Sequence, residues 1–528
     1  MSKAPQGELG RRTLPPMLRH RLGWMEWVIA CVLILTGAAA VIARLPRVRV
    51  GDGIEYYGLF FAWTATLRPW MSAAAFAAYQ QFHAAGAVLG TLPSDVLHPA
   101  LRVGATTDFN HFWLYSLLAS VPHFLGRAVD LSISAHVSFL ILHTVLFLAL
   151  LAVAARCHGW KGFVTVLLLV LGSPIAWFAN KVHTEFFTFC VTTIGVILAM
   201  RNQLIAGAVF MAIAATQNPG LSFVPVAMLL LRALADWKLS YSRWEVIGVV
   251  LTVVLLALHP AYYFARYGVI SPQLLAGGAT PGLHLNIWYI WLIDPDLGLF
   301  PNWPLGLLFL VMGAVLWRSS LGLRAEHPEK VDHPIRLLIV GAIFFLACVY
   351  SHASTINLNS GGTPGLARYA LWYIPLVYPF ALACVVAVSS WRLPAQIVSV
   401  TVALACTTAA LIVTIRTVNE SYQNPSLVSA FVQKHLPGLY DPDPEIFSER
   451  YSGLGEAALT KAVVGPDCAK ILIFPGSLAN APITAPKKCP FVPAQLDKWV
   501  SEQIRTLQHP AYKRIHSNDP TVVGPPST

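Results

Sequence analysis

The chain has 528 residues and a formal charge of +11, with 56% apolar and only 12% charged residues. Soluble globular proteins carry about 25% charged residues, so this composition excludes intrinsic disorder and an ordinary water-soluble enzyme. The basic residues form no dense stripe, which argues against a nucleic-acid partner. The remaining class is an all-α polytopic membrane protein, in which the excess of Lys and Arg first reports topology.

Apolar stretches suited to a membrane-crossing helix, which needs about 20 residues, recur along the chain. We predict about eleven spans, at roughly 24–44, 133–155, 162–178, 185–200, 203–217, 219–233, 244–264, 303–317, 336–353, 367–388 and 394–415. A further apolar stretch at 110–126 carries a polar set and is predicted to be an amphipathic helix on the outer membrane surface. That set is Asn110, His111, Tyr115, Ser116 and His123.

The basic residues orient these spans. With a cytoplasmic N-terminus and 110–126 outside the membrane, 16 of the 36 Lys and Arg fall on the inner side. The outer loops over the body then hold only Lys181, Arg266 and Arg368. A span at 110–126 would invert the later loops, so the positive-inside rule favours eleven spans and an outer C-terminus. We expect the first span to be an uncleaved signal anchor, with cleavage near Ala38–Ala40 as the alternative.

Composition divides the chain into a basic cytoplasmic tail (1–23), a membrane body (24–416) and a C-terminal part (417–528). The first outer loop, 45–132, should hold juxtamembrane helices. The C-terminal part contains 14 of the 37 prolines and 10 of the 25 acids, which predicts a small extracytoplasmic domain. Its Cys468 and Cys489 form either a disulfide, if the compartment is oxidising, or two free thiols.

The first acidic cluster, GDGIEYY at 51–57, follows the first predicted span directly. Asp52 and Glu55 are three residues apart, so on a helix both carboxylates face the same cavity. The alternative is that Asp52 only caps that helix and Glu55 is incidental. Tyr56 and Tyr57 are the aromatic candidates for substrate contact at this position.

A second cluster, NKVHTE at 180–185, lies in the predicted outer loop between the third and fourth spans. The ammonium of Lys181, the imidazole of His183 and the carboxylate of Glu185 suit phosphate binding or the orientation of a base. A metal site needs three or four ligands, so these residues alone predict none. The alternative is a helix start capped by Thr184 or Asn180.

A third cluster combines His352 with Arg368 and Tyr369, after a glycine-rich stretch at 361–365. A guanidinium at a membrane boundary suits a phosphate or diphosphate headgroup, because it donates in a bidentate fashion. Its alternative role is an interfacial anchor. The loop at 265–302 adds Arg266 and several aromatic side chains, which fit either a sugar or the aromatic belt of a membrane protein.

These features together resemble the GT-C superfamily of membrane glycosyltransferases, which includes protein O-mannosyltransferases and the aminoarabinose transferase acting on lipid A. The resemblance consists of an acid just after the first span (Asp52), an acid in a second outer loop (Glu185), and a late Arg-Tyr pair at 368–369. A long first outer loop and a C-terminal outer domain complete it, over about residues 24–416.

The resemblance implies an enzyme of the bacterial cytoplasmic (inner) membrane that takes a sugar from a polyprenyl-phosphate donor and transfers it on the outer face with inversion. The acceptor would be a lipid, a glycan or a protein such as a pilin. Asp52 would be the general base and Glu55 a supporting acid, with Glu185 as the acid of the second loop. The residues implied to bind donor phosphate are Arg368, Lys181 and Arg266; those implied to contact substrate are Tyr56, Tyr57, His183, His352 and Tyr369.

Metal dependence varies within this superfamily, and the sequence offers no convincing ligand set, so no cofactor is assigned and a divalent metal stays open. The alternative function is a transporter or flippase of lipid-linked saccharides. That function favours polar groups at mid-membrane and repeat symmetry, and neither is visible in the sequence. A third alternative, a non-catalytic scaffold, predicts no clustering of acids in outer loops.

Overall fold

The computed structural model describes residues 51–86, 98–235, 241–277, 288–324, 334–355, 358, 366–416, 424–453, 460–475 and 481–515. The chain separates into two units, 1–46 and 47–528, and every described residue belongs to the second. The predicted span at 24–44 and the glycine-rich stretch at 361–365 lie outside the described residues.

The described part of the body is mainly helical, as its apolar composition predicts. Its longer helices are α1 Gly53–Thr66, α2 Ala73–Ala84, α3 Leu114–Ala128, α4 Ala135–Leu171, α5 Thr184–Met200, α6 Leu204–Gln217, α7 Phe223–Ala235, α8 Arg243–Tyr267, α9 Pro304–Arg324, α10 Pro334–Ala353, α11 Ile374–Val388 and α12 Leu393–Arg416. Shorter helical turns lie at Pro99–Leu101, Ile175–Phe178, Pro219–Ser222, Gln273–Ala276, Ile290–Ile293, Leu299–Asn302 and Arg368–Tyr373.

Several of these helices are suited to cross a membrane by length and composition. In the described part of the chain, five are long and apolar enough: Ala135–Leu171, Arg243–Tyr267, Ile335–Ala353, Arg368–Val388 and Leu393–Thr414. Shorter apolar helices lie at Thr184–Met200, Leu204–Gln217, Pro219–Ala235 and Pro304–Leu316. The chain is a multi-pass membrane protein, while the number of eleven spans stays a prediction.

Helix α4 covers nearly all of the predicted span 133–155 and most of the predicted span 162–178, as two helical halves. It is interrupted at Gly159, where φ is +62° and ψ is −154°, so the axis changes direction there. A positive φ is accessible to glycine because it lacks a Cβ atom. The predicted break between the spans is therefore a kink at one residue, and the second half ends at Leu171.

The predicted amphipathic stretch at 110–126 forms helix α3, which starts at Leu114. Its buried positions, Tyr115, Ser116, Ala119 and Ser120, repeat with helical spacing and make one inward face. Ser116 donates a hydrogen bond to the carbonyl oxygen of Tyr56 (2.9 Å), which ties α3 to α1. Its position on the outer membrane surface stays a prediction.

The C-terminal part has its own small core. Helices α13 Leu427–His435, α14 Pro444–Ser452 and α15 Pro493–Ile504 accompany a four-stranded sheet. The strands of this sheet are β3 Ala462–Val464, β4 Lys470–Ile473, β5 Ile483–Thr484 and β6 Ala511–Arg514, in the order β5-β3-β4-β6. Strands β1 Arg102–Val103 and β2 Thr106–Thr107 form a separate short hairpin in the first loop. Strand β3 is parallel to β5 and antiparallel to β4, which is antiparallel to β6. Cys468 and Cys489 form a disulfide, the first of the two alternatives.

A tight turn at 294–298 joins this C-terminal part to the body. Both Asp296 and Arg450 side chains are 1% exposed, and Arg450 Nε lies 2.8 Å from Asp296 Oδ2. The Ser426 amide donates to the other oxygen of Asp296 (2.6 Å), and the Tyr440 hydroxyl donates to Asp294 (2.6 Å). Removing one partner of such a buried ion pair strongly destabilises the fold, because the other charge is left unpaired.

Replacing Arg450 with Ala should destabilise the C-terminal part by about 3–5 kcal/mol, because it leaves the buried Asp296 carboxylate without its counter-charge. The measurement is the thermal unfolding midpoint of the full chain in detergent. Arg505→Ala serves as the matched control, since Arg505 is an exposed arginine at the end of α15. Equal midpoints for the two variants would contradict the expectation.

Candidate active site

The first acidic cluster lies at the start of α1. Asp52 occupies the residue before the first helical turn, yet its side chain makes no capping hydrogen bond. Asp52 Oδ2 instead lies 2.5 Å from Arg368 Nη1 and 3.2 Å from His111 Nε2. The interpretation of Asp52 as a mere cap is therefore wrong, and the carboxylate is committed to charged partners from two distant segments.

His111 brings the two acids of this cluster together. Its Nδ1 atom lies 3.1 Å from Glu55 Oε2, while its Nε2 faces Asp52. The backbone N–H of His111 also donates to Glu55 Oε2 at 3.2 Å. Side chains of Asp52 and His111 are 26% and 23% exposed, so a ligand can reach them.

The second cluster lies at the start of α5, and the predicted alternative, a helix start capped by Thr184 or Asn180, is not what the structure has. His183, and neither Thr184 nor Asn180, is the residue that precedes the helix. The Asn180 side-chain oxygen bonds to His136 Nε2 (3.2 Å). Glu185 is buried at 2% exposure, and Oε2 of its carboxylate contacts His183 Nδ1.

Arg368 joins the first and second clusters. Its Nη1 atom, in addition to contacting Asp52, donates to His183 Nε2 at 2.6 Å. Its Nε atom lies 3.8 Å from Glu185 Oε1. Because a guanidinium can only donate, His183 Nε2 accepts this hydrogen bond, and the Thr184 amide donates to Nδ1 of the same ring at 3.1 Å. Arg368 is the first residue of the turn at Arg368–Tyr373, so three chain segments meet at its guanidinium.

The electrostatics of the cluster follow from this geometry. Burial alone would raise the pKa of Asp52, but Arg368 and His111 hold that pKa well below its usual value. Burial alone would lower the pKa of His111, but the carboxylates of Asp52 and Glu55 hold it well above its usual value. Burial and the nearby Arg368 guanidinium keep the pKa of His183 well below its usual value. At neutral pH, Asp52 is therefore ionised, His111 protonated and His183 neutral.

Aromatic rings line the charged cluster. The Tyr56 ring packs edge-on between His111 (5.2 Å) and His183 (5.6 Å), and its hydroxyl lies 3.2 Å from Thr184 Oγ1. On the other side, the Tyr369 hydroxyl accepts from Arg368 Nη2 at 3.2 Å. Tyr369 stacks on His352 at 4.9 Å, so His352 reaches Arg368 only through the tyrosine ring.

Three predicted site residues have other neighbours. The Tyr57 hydroxyl lies 2.7 Å from His136 Nδ1 and the ring is 1% exposed. Lys181 Nζ lies over the Trp177 ring at 5.0 Å. Arg266 pairs with Asp108 at 2.5 Å and covers the Trp70 ring at 4.3 Å. The roles proposed for these three residues stay predictions.

His111 is the residue of this cluster that the sequence analysis did not assign to the site. The sequence places it only in the polar set of the 110–126 stretch. The available signal was a polar Asn-His pair at the start of an amphipathic stretch in the same loop as Asp52. In the described part of the chain, no group of three or more His, Cys, Asp or Glu side chains could hold a metal ion.

Comparisons with known proteins give two similar crystal structures, while no protein-family model and no curated protein matches the sequence. One is ArnT from Cupriavidus metallidurans in the apo state, with a TM-score of 0.42. The other is ArnT from the same organism bound to undecaprenyl phosphate, with a TM-score of 0.40. Both are 15% identical and cover 75% of this chain, which spans about two thirds of the ArnT chain (66% and 67%).

At this level of identity and of structural overlap, the likeness assigns no substrate and no residue role.

The charged state of His111 predicts a pH dependence of stability. Since its pKa is raised in the folded chain, the stabilisation is complete below about pH 6.5 and is lost as pH rises through the folded value. His111→Gln should therefore lower the unfolding midpoint most at about pH 6, by the equivalent of roughly 1–3 kcal/mol. The deficit should shrink as the pH rises through the pKa of His111 in the folded chain, above which the wild-type imidazole has also lost its charge.

The measurement is thermal unfolding of wild type and variant across this pH range. His509→Gln is the control, because His509 is an exposed histidine in the C-terminal part. A deficit independent of pH would show that His111 acts by packing alone.

Proposed function

We propose that this chain is a glycosyltransferase that moves a sugar from a polyprenyl-phosphate-linked donor to a hydroxyl acceptor on the outer face of the bacterial cytoplasmic membrane. The observation that carries the proposal is the contact of Asp52 Oδ2 with Arg368 Nη1 at 2.5 Å. This contact brings together a candidate base, just before α1, and a candidate phosphate ligand, at the start of the apolar segment Arg368–Val388.

Phosphate recognition rests on Arg368. A guanidinium offers several N–H donors in a planar fork that matches phosphate oxygens. The adjoining segment Arg368–Val388 is apolar and long enough to cross a membrane, so a phosphate held there can have its lipid tail in the bilayer. The positive ends of the helix dipoles of α1 and α5 lie at their N-termini, which also favours an anion. The carrier is of the class that one ArnT structure holds, undecaprenyl phosphate.

Before a donor binds, the Arg368 guanidinium is paired with the carboxylate of Asp52, which is the proposed base. Arg368 and His111 together keep Asp52 ionised but engaged, which weakens it as a proton acceptor. A phosphate that takes over Arg368 removes the largest stabilising charge from Asp52, so its pKa rises toward a useful range. Donor binding would thus precede activation of the acceptor.

The reaction then needs one displacement. Asp52 accepts the proton of the acceptor hydroxyl as its oxygen forms a bond with the anomeric carbon of the sugar. The bond between that carbon and the phosphate oxygen breaks, and the polyprenyl phosphate leaves with its charge stabilised by Arg368. Glu55, through His111, and Glu185, through His183, hold the two imidazoles that border Asp52 and Arg368. Single displacement inverts the anomeric centre.

Asp52→Asn should lower the transfer rate by roughly 100- to 10,000-fold, because the amide cannot accept the proton. Binding of the donor should be retained or become tighter, since Arg368 loses a competing carboxylate. The measurement is transfer from a radiolabelled polyprenyl-phosphate sugar in detergent, together with the affinity for polyprenyl phosphate.

Asp130→Asn is the matched control, as Asp130 is an exposed acid that follows α3. Full transfer activity in Asp52→Asn would remove Asp52 as the base. Loss of donor binding together with activity would assign it a role in holding the site instead.

Lys181 gives a separate prediction for phosphate binding. Burial lowers the pKa of Lys181 to about 8. If its ammonium binds the donor phosphate, affinity should fall roughly tenfold between about pH 7 and about pH 9 as the charge is lost. Lys181→Arg should remove most of this dependence, because arginine keeps its charge over the whole range. Identical pH profiles for the two proteins would show that Lys181 does not contact the phosphate.

A further inference from the structure

Helix α13 in the C-terminal part presents an apolar surface that no described residue covers. We propose that this surface lies on the membrane, with the side chains inserted between lipid headgroups. The surface, named here the α13 patch, consists of large apolar residues with high exposed fractions: Leu427 (86%), Val428 (40%), Phe431 (58%), Leu436 (45%) and Leu439 (79%).

Within the helix the patch lies on one face, while Leu436 and Leu439 follow the end of the helix. Leu427 and Phe431 are four residues apart, so they lie above one another on the same side. The opposite side holds Ser429 and Gln433, which are 2% and 0% exposed. Helix α13 is therefore amphipathic in the reverse sense to a soluble protein, with its polar residues turned inward and its apolar residues outward.

The buried side of α13 is fixed to the body near the ends of apolar spans. Ser426, the residue before the helix, donates through its hydroxyl to the Pro295 carbonyl (2.7 Å) and through its amide to Asp296. The same turn accepts a hydrogen bond from the Ala367 amide to the Leu297 carbonyl (3.0 Å). Residue 367 directly precedes the apolar segment Arg368–Val388.

The order of the elements along the chain also places the start of α13 at the depth where apolar helices begin. Helix α9, another apolar helix, begins at Pro304, shortly after the turn at 294–298. The start of α13 is thus held where several apolar helices begin or end, which is where the headgroup region lies.

Charge supports lipid as the occupant of this surface. Lys434 and His435 are exposed in the last turn of α13, beside the apolar residues. A basic residue next to exposed Leu and Phe is typical of a helix that lies in the membrane interface, where its apolar side enters by about 5–10 Å. Anionic headgroups would be attracted to the same side.

The test places an environment-sensitive NBD label on the full chain in lipid nanodiscs that hold one copy each. The variants Leu427→Cys and Phe431→Cys report on the patch, and Gln495→Cys, at an exposed polar position of α15 in the same part of the chain, is the matched control. The unmodified chain, labelled in parallel, gives the background from its own cysteines.

We expect blue-shifted emission at 427 and 431 and strong quenching by lipids that carry a doxyl group near the headgroup. The control label should show emission typical of water and little quenching. Emission at 427 and 431 equal to the control would overturn the proposal. Blue-shifted emission without doxyl quenching would also overturn it, because protein would then cover the patch.

A second measurement distinguishes lipid from a second copy of the chain. If two copies meet through the α13 patch, the labelled protein in larger nanodiscs should show energy transfer between donor- and acceptor-labelled copies at position 431. We expect none above that at position 495. Leu439→Cys repeats the assay at a residue outside the helix, so that failure of one variant to fold does not decide the result.

Discussion

A guanidinium at the start of a membrane-crossing segment requires a counter-charge, and Arg368 finds it in Asp52, far earlier in the chain. Removing an ion from water without a partner costs several kcal/mol or more, so the two segments stabilise each other only when they meet. His183 and Glu185 complete the surroundings of the guanidinium from a third segment. The same contacts that make the cluster chemically useful thus hold the first loop, the start of α5 and the turn at Arg368–Tyr373 together.

The charged side chains in and near the candidate site divide into the cluster around Asp52 and a supporting group. Asp108 belongs to the second, since it accepts from the hydroxyls of Tyr262 (3.1 Å) and Tyr267 (2.7 Å) and pairs with Arg266. One turn along α8, the Tyr263 hydroxyl donates to the carbonyl oxygens of Phe109 (3.1 Å) and His111 (3.2 Å). The end of α8 therefore fixes the segment that carries His111. Arg266, although predicted to meet phosphate, has a clear structural task in this arrangement.

Hydropathy was sufficient to predict where most helices lie. The predicted 185–200 and 203–217 correspond to Thr184–Met200 and Leu204–Gln217, because apolar runs and the polar residues between them mark helix ends directly. The predicted break between the spans 133–155 and 162–178 is also present, at Gly159, where Arg156, His158 and Lys161 interrupt the apolar run. The disulfide between Cys468 and Cys489, by contrast, depended on the fold of the C-terminal part, and the sequence left it open.

The acids and the arginine of the candidate site could be predicted from the sequence, but the contacts between its side chains could not. Scarcity of charge identified Asp52, Glu55, Glu185 and Arg368, because each ionised group near a membrane needs a reason to be there. Nothing in the sequence indicated that residue 111 would fold over the start of α1, as that contact depends on how α8 holds the loop. For the same reason, the neighbours of Tyr57 and Lys181 could not be anticipated from their positions beside charged residues.

The turn at 294–298 has a consequence for the order in which the protein is completed. It supports the residue before Arg368 through the Leu297 carbonyl, and its own Asp296 is neutralised by Arg450. The ribosome delivers Arg450 only after every apolar helix of the described body has been made. During synthesis, the turn that contacts the residue before Arg368 is therefore made well before Arg450, the partner of its buried Asp296. A chain released before Arg450 is made therefore retains its apolar helices but leaves the Asp296 carboxylate in this turn without its counter-charge.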